Sequence, residues 1–321
     1  MSAIENSSFP DRNSVISSIP RWHFAMLNDM ERNLKLKQAI QNTDLKNKTV
    51  LDIGTGTGFL SMLAVQQGAS HVYTCEVNPH VAAMARRIIH QNGFEDKITV
   101  INKFSTDLII GMDIPQKADV LISETVDCGF FGEGFGYSLS HAKRNLLRND
   151  ATLIPQSASL SCVLLNSEKI ARLNHVPDNT LGLSLNLFNE FRTPGYFPVR
   201  ANTWDHSILS SRIDLMNFSL YEDNCFDHTH HLTFLIRKTA LAHGVLFWFR
   251  MNLTEDICVS NSPENSDSHW MQAFQLFDRP IPVTANTQLA LSCKTSDSGI
   301  NFNIPEPLPA LKLEVTHSIT G

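Results

Sequence analysis

The chain has 321 residues, 42% of them hydrophobic and 18% charged, so it can bury a sizeable core, and disordered or fibrous classes are excluded. At roughly 150 residues per domain there is room for about two domains. The 26 basic and 32 acidic residues leave a net charge of −6, which argues against a nucleic-acid partner and suits a cationic substrate.

In chain order, residues 24–41 (FAMLNDMERNLKLKQAIQ) place Met26, Met30, Leu34 and Ile40 at near-helical spacing. This predicts one amphipathic helix lying on the domain. Residues 48–60 (KTVLDIGTGTGFL) read as a strand, a tight turn through Gly54, Gly56 and Gly58, and the start of a helix. A second strand, residues 71–76, ends in Glu76, 18 residues after Gly58. Asn78 and Pro79 then form a helix start, and Gly93 marks its end. A further strand, residues 118–124, runs into the loop TVDCGFFGEGFGY. Strands alternating with helices over 48–150 predict a parallel α/β sheet. Residues 151–321 carry short strand-like runs such as GVLFWFRMNL and QLALSC, which predict an antiparallel β domain, barrel or sandwich. Residues 166–200 interrupt that rhythm with a helical excursion. No run of about 18 apolar residues occurs, and the polar N-terminus lacks a basic-then-apolar signal. A cytoplasmic protein without a membrane span is therefore expected. The six cysteines (75, 128, 162, 225, 258, 293) include no CxxC pair, so they read as reduced thiols, with no disulfide frame and no metal site.

Two segments carry chemistry. A glycine turn followed by an acid at the end of the second strand can seat a ligand and hold its ribose hydroxyls. The spacing is GxGxG, not the GxGxxG of a dinucleotide site, so S-adenosylmethionine (SAM) fits better than NAD. A bare glycine turn is the ligand-free reading. The second segment sets Glu124 and Glu133 nine residues apart around a Gly- and Phe-rich loop at the carboxyl edge of the sheet. Two carboxylates there suit a planar guanidinium, whose N–H groups match them bidentately. Phe130, Phe131 and Phe135 could wall such a slot with cation–π contact. The competing reading is an acidic surface loop with its phenylalanines in the core.

The motifs VLDIGTGTGFLSMLA and SETVDCGFFGE, with Ser268-His269-Trp270 further on, resemble those of the protein arginine N-methyltransferase family. The resemblance covers nearly the whole chain. Within the family it is greatest to the monomethylating, type III branch, through Asp127 and Gly134. It departs in lacking the family's aromatic YFxxY segment, where Arg21-Trp22-His23-Phe24 stands instead, and in having Ser268 where the family has Thr. The type III enzymes carry two tandem modules, and this chain has the length of one.

The resemblance implies a SAM-binding Rossmann-like methyltransferase domain followed by an antiparallel β-barrel domain with a helical dimerisation arm. The expected division is 1–47 (helical segment), 48–154 (SAM-binding domain) and 155–321 (barrel with the arm at about 166–200). Glu124, Glu133 and His269 are the expected catalytic residues. Glu133 is the more demanding glutamate, and Glu124 the anchor. Asp127, Phe130 and Trp270 are expected at the substrate, with Asp127 narrowing the pocket toward a single methylation. Arg32 is expected on the SAM carboxylate, Asp52, Gly54, Gly56 and Gly58 around its methionine, and Glu76 on its ribose. The arm, with Leu181, Leu183, Leu185, Leu187 and Phe188, is expected to make a homodimer. The implied reaction is transfer of one methyl group to a guanidino nitrogen of protein or peptide arginine. Methylation of free L-arginine in small-molecule biosynthesis is the alternative, and a silent dimeric scaffold or an NAD-dependent oxidoreductase are weaker ones.

Overall fold

Short apolar runs, three of them closed by Gly54, Asn102 and Pro155 and two by Glu76 and Glu124, become the strands of one parallel sheet in the computed structural model, which describes residues 16–17, 19–223 and 226–304. These strands are β1 (Thr49–Ile53), β2 (His71–Cys75), β3 (Ile98–Ile101), β4 (Ala118–Ser123) and β5 (Leu147–Ile154). They lie in the order β3-β2-β1-β4-β5 and are all parallel. The order reverses between β1 and β4, and a crevice opens at the carboxyl ends of strands at such a point. Ile53 pairs with Ser123 there, so the glycine turn and Glu124 leave the sheet side by side.

The expected single N-terminal helix is two. They are α1 (Trp22–Asn28) and α2 (Met30–Gln41), broken at Asp29, whose side chain accepts a hydrogen bond from Arg32 N and caps α2. A cap competes with helix continuation, because the capping side chain needs a non-helical backbone. The face α2 buries is Arg32, Asn33, Leu36, Ala39 and Ile40. Met30 and Leu34 of the expected stripe are exposed. Helices α3 (Phe59–Gln66), α4 (Pro79–Gln91) and α5 (Phe135–Asn145) follow β1, β2 and β4. Asn78 caps α4 by accepting from His80 N and Val81 N.

After β5 the chain turns antiparallel. It forms β6 (Ser157–Asn166), β7 (Tyr196–Val199), β8 (Ser207–Ile208), β9 (Ile213–Ser219), β10 (His228–Leu235), β11 (Ala240–Asn252), β12 (Cys258–Ser260), β13 (Gln272–Val283), β14 (Gln288–Ser296) and β15 (Gly299–Asn303). One sheet runs β7-β13-β11-β6-β8, with β9 and β12 beside it, and a second runs β10-β14-β15. Gln275 joins the two sheets through its side-chain bonds to Asn301 and to the backbone of Phe302. Strand β11 is apolar from Val245 to Phe249, where both faces are covered. Val245, Phe247 and Phe249 enter the main core, while Leu246 and Trp248 enter a second cluster with Val163, Ile170 and Phe274. Together the two antiparallel sheets make the barrel.

The two halves share one aromatic core. Phe130 packs edge-on against Phe131, Phe135, Phe218 and Phe249, with centroids 5.1–5.6 Å apart. Such contacts add about 0.5–1.5 kcal/mol each beyond their buried area.

Residues 166–200 are less helical than expected. A four-residue helix α6 (Glu168–Ala171) and a 3-10 turn (Asn186–Phe191) are the helical pieces. Between them, side-chain amides replace backbone ladders. Asn189 both accepts from Val176 N and donates to Val176 O, and Asn174 does the same with Thr193. Asparagine competes with helix in this way. Leu181, Leu183, Leu185, Leu187, Phe188 and Phe191 stand exposed on this arm. No helix among the described residues is long and apolar enough to cross a membrane.

Candidate active site

A cavity of about 620 Å³ lies at the switch point, lined from the sheet side by Gly54, Gly56, Glu76, Glu124, Asp127 and Glu133, and from the barrel side by His269 and Trp270. Gly54 and Gly56 take positive φ (89° and 51°). A Cβ on Gly54 would sit 2.5 Å from Thr125 Cγ2, whereas the space around Gly56 is open. The turn therefore has to be glycine, and it presents bare backbone to the cavity. Glu76 accepts from Gly56 N (3.2 Å) and Asn78 N (2.9 Å), which fixes its carboxylate at the mouth of the turn. Asp52 and Gly58 do not line the cavity. Asp52 is fully buried and accepts from the hydroxyls of Ser61 and Thr74, bracing the turn from below. Burial raises its pKa to about 7, against the bonds from Ser61 and Thr74. The cradle thus fits an adenosyl ligand: open glycine backbone, a fixed carboxylate for ribose hydroxyls, and no lysine or arginine on the turn for a pyrophosphate.

Glu124 leaves β4 with its side chain almost wholly buried and receives a hydrogen bond and ion pair from the Arg32 guanidinium. Arg32 is buried and is not among the residues that line this cavity; its guanidinium faces Glu124. It pairs with Glu124, donates to Asn33 (2.8 Å) and lies 5.7 Å from the Trp270 ring centroid. Burial pulls its pKa down to about 10, so it stays cationic at neutral pH. Its Nε has no partner among the described residues, a donor still to be satisfied. Glu133 sits at the cavity rim. Loss of water around its carboxylate, and then the charge of Asp127, raise its pKa. Phe130 is a correction: with Phe131 and Phe135 it fills the shared core and is absent from the cavity wall. Phe130 holds φ at 81°, a left-handed conformation uncommon for a bulky side chain.

The barrel closes the other side. The His269 backbone N and ring Nδ1 both donate to Asp29 Oδ2 (2.9 Å each). Burial lowers the His269 pKa, opposed by Asp29, so the ring is neutral near pH 7 and its Nε2 is free of a proton. Burial alone would raise the Asp29 pKa, but the bonds from His269 and Arg32 outweigh it and hold it low. Trp270 Nε1 donates to Val126 O (3.2 Å), tying the barrel to the paired-glutamate loop. Asn261 makes a second tie, donating to Cys128 O and Met271 O and accepting from Phe249 N.

Sequence reasoning missed Asp29, Asn261 and Tyr196. Asp29 had a local signal, an Asp three residues before the helical Arg32, but nothing linked it to a histidine 240 residues away. Asn261 and Tyr196 stand in ordinary loop and strand contexts, and only the fold brings them to the site.

A family model described as the arginine methyltransferase oligomerization subdomain matches residues 178–304, and one described as ribosomal protein L11 methyltransferase (PrmA) matches residues 34–126. An arginine N(omega)-methyltransferase of Streptomyces achromogenes subsp. streptozoticus is 40% identical over 287 residues, covering 89% of this chain and 79% of that enzyme. Protein arginine N-methyltransferase 7 of Rattus norvegicus is 41% identical, covering 88% of this chain and 46% of that protein. Protein arginine N-methyltransferase 9 of Mus musculus is 30% identical, covering 79% and 34%. The chain therefore spans less than half the length of these two. Among solved structures, the Trypanosoma brucei PRMT1 enzyme–prozyme heterotetrameric complex with AdoHcy superposes with a TM-score of 0.73 at 23% identity, covering 86% of this chain and 88% of that one. Protein arginine methyltransferase 10 of Arabidopsis thaliana gives 0.69 at 19%, covering 87% and 89%. At these identities the likeness is one of fold.

Proposed function

We propose a function from the premise that the chain belongs to the protein arginine N-methyltransferase family. It is a SAM-dependent arginine methyltransferase that places one methyl group on a terminal guanidino nitrogen. The observation that carries this reading is the pairing of two carboxylates, Glu124 and Glu133, on a cavity that also contains the glycine turn and Glu76.

SAM, when bound, would supply a methyl group on a sulfonium sulfur whose departure as a neutral thioether is favourable. The glycine turn and Glu76 hold the adenosyl part, with Asp52 bracing the turn, and Arg32 acts through Glu124. Glu124, itself fixed by Arg32, anchors one edge of the substrate guanidinium. Glu133 takes the other edge and draws positive charge toward itself, leaving electron density on the attacking nitrogen. The same carboxylate, or the neutral His269 held by Asp29, accepts the proton released as the new bond forms. Alignment contributes much of the rate, because the sulfonium is already a good leaving group.

We assign the described residues up to 47, residues 48–154 and the described residues of 155–304 to the helical segment, the SAM domain and the barrel; residues 1–15 and 305–321 of the expected division lie outside the described residues. The arm seats on a second copy of the chain to make a homodimer. The exposed Leu187, Phe188 and Phe191 support this, as does the oligomerization match from residue 178. The carrier of the guanidinium is free L-arginine, a reading favoured by the Streptomyces relative, which is named for arginine alone and is covered nearly throughout. Peptide arginine is the second reading, favoured by the relatives named as protein arginine N-methyltransferases. Incubation with methyl-labelled SAM and either free L-arginine or an Arg/Gly-rich peptide decides between them. Label on the amino acid is expected. Label confined to the peptide would replace the first reading with the second.

A further inference from the structure

The loop that presents Glu133 is bent around one carboxylate. Asp127 Oδ1 accepts from Gly129 N (3.1 Å) and Gly132 N (2.9 Å), and Asp127 Oδ2 accepts from the Tyr196 hydroxyl (2.9 Å). Both oxygens are thus engaged by protein groups, which gives Asp127 a bracing task beside its place on the cavity wall. Gly132 directly precedes Glu133, so the bond to Gly132 N fixes the backbone from which that glutamate projects.

Tyr196 reaches the loop from the other half of the chain. It opens β7, at the end of the 166–200 excursion. Its ring stands edge-on to Phe247, with centroids 5.2 Å apart. A Cβ on Gly129 would lie 2.4 Å from the Tyr196 ring, and one on Gly132 would lie 2.2 Å from Asp127 Oδ2. The two glycines are the clearance through which tyrosine and aspartate meet. Burial and the Asp127 charge raise the Tyr196 pKa, so its hydroxyl remains a donor at every working pH.

We propose that Tyr196 is a positioning residue for methyl transfer: its hydroxyl holds Asp127, Asp127 holds the backbone at Gly129 and Gly132, and that backbone sets Glu133 against Glu124. This rests on the assignment of the two glutamates to the guanidino slot. Tyr196→Phe keeps the ring and removes one hydrogen bond. A misplaced catalytic group costs far more in rate than in cofactor binding, so kcat should fall about tenfold while the KM for SAM stays within about twofold. Two groups that act in series are not additive, so the same change in an Asp127→Ala background should cost less than about twofold. Gly132→Ala, whose Cβ would lie 2.2 Å from Asp127 Oδ2 and 3.1 Å from the Tyr196 hydroxyl and so drive the two apart, should reproduce the loss of kcat. Amide hydrogen exchange at Gly129 and Gly132 should quicken in Tyr196→Phe. A kcat within twofold of wild type, a full loss persisting in the Asp127→Ala background, or unchanged exchange would each overturn the proposal. A wild-type protein that methylates nothing would instead overturn the reading of the glutamates, and the exchange measurement would still decide the role of Tyr196.

Discussion

Glu124 and Glu133 are nine residues apart in one loop, yet their surroundings separate their tasks. Glu124 is buried and neutralised by Arg32, an arrangement that holds a carboxylate still. Glu133 stands at the rim with a raised pKa and, among the described residues, no cation paired with it, an arrangement that lets a carboxylate take up a proton. Glu133→Gln should therefore lower kcat by about a hundredfold or more while SAM binding is unchanged, measured by steady-state turnover and calorimetry. Because Glu133 acts ionised, kcat/KM should fall as the pH drops through its raised pKa, above the usual 4.5 of a glutamate. Asp52 gives a separate prediction about stability. Its folded pKa, about 7, exceeds the unfolded value of about 3.9, so the folded state holds the proton more tightly. That contribution is complete below about pH 4 and is lost as the pH rises to about 7. Asp52→Asn should flatten this slope in denaturant midpoints measured across that range. If the variant keeps the wild-type slope, Asp52 is not the titrating group. Glu124, Glu133, Glu76 and the glycines could be read from the sequence because their chemistry sits in contiguous motifs. Phe130 could not be placed in the slot or the core, since phenylalanine suits both and the choice depends on Phe218 and Phe249, which lie far along the chain.

At the scale of elements, the parallel half was legible because its short apolar runs alternate with helical patterns whose starts are marked locally, by Asn78 before α4 and by the glycines at 58 and 134 before α3 and α5. The arm was less legible. Its leucines have a helical look, but Asn174, Asn189, Pro177 and Gly182 favour side-chain and turn hydrogen bonding over helix. Asp29 divided the N-terminal helix for the same kind of reason. The arm is nonetheless pre-shaped by its asparagine pairs and presents a row of exposed apolar side chains. A patch of this kind marks an interaction surface. If the arm seats on a second copy as proposed, the wild type should sediment as a dimer, and replacing Leu187, Phe188 and Phe191 with serine should give a monomer in sedimentation velocity without loss of the folded barrel by circular dichroism. A dimer that survives the triple change would move the interface elsewhere.

At the scale of the whole molecule, the site exists only where the halves meet. The sheet contributes the cofactor cradle and both glutamates, the barrel contributes His269 and Trp270, and Asp29 from the N-terminal segment locks the histidine in place. Two hydrogen-bonding side chains, Asn261 and Trp270, and a cluster of phenylalanines hold these parts in register. The division into a parallel and an antiparallel half was readable from hydrophobic period. The way they clasp was not, because contacts between residues more than a hundred positions apart leave no local pattern. The central claim is that the paired carboxylates direct a methyl group to a guanidino nitrogen. It is tested most directly by fragmenting the labelled product formed from methyl-labelled SAM and locating the label. The account predicts one methyl group on a terminal guanidino nitrogen, absent from the Glu133→Gln reaction. Label on the α-amino group or a carboxylate, or SAM bound with no methyl transferred to any guanidino compound, would contradict it.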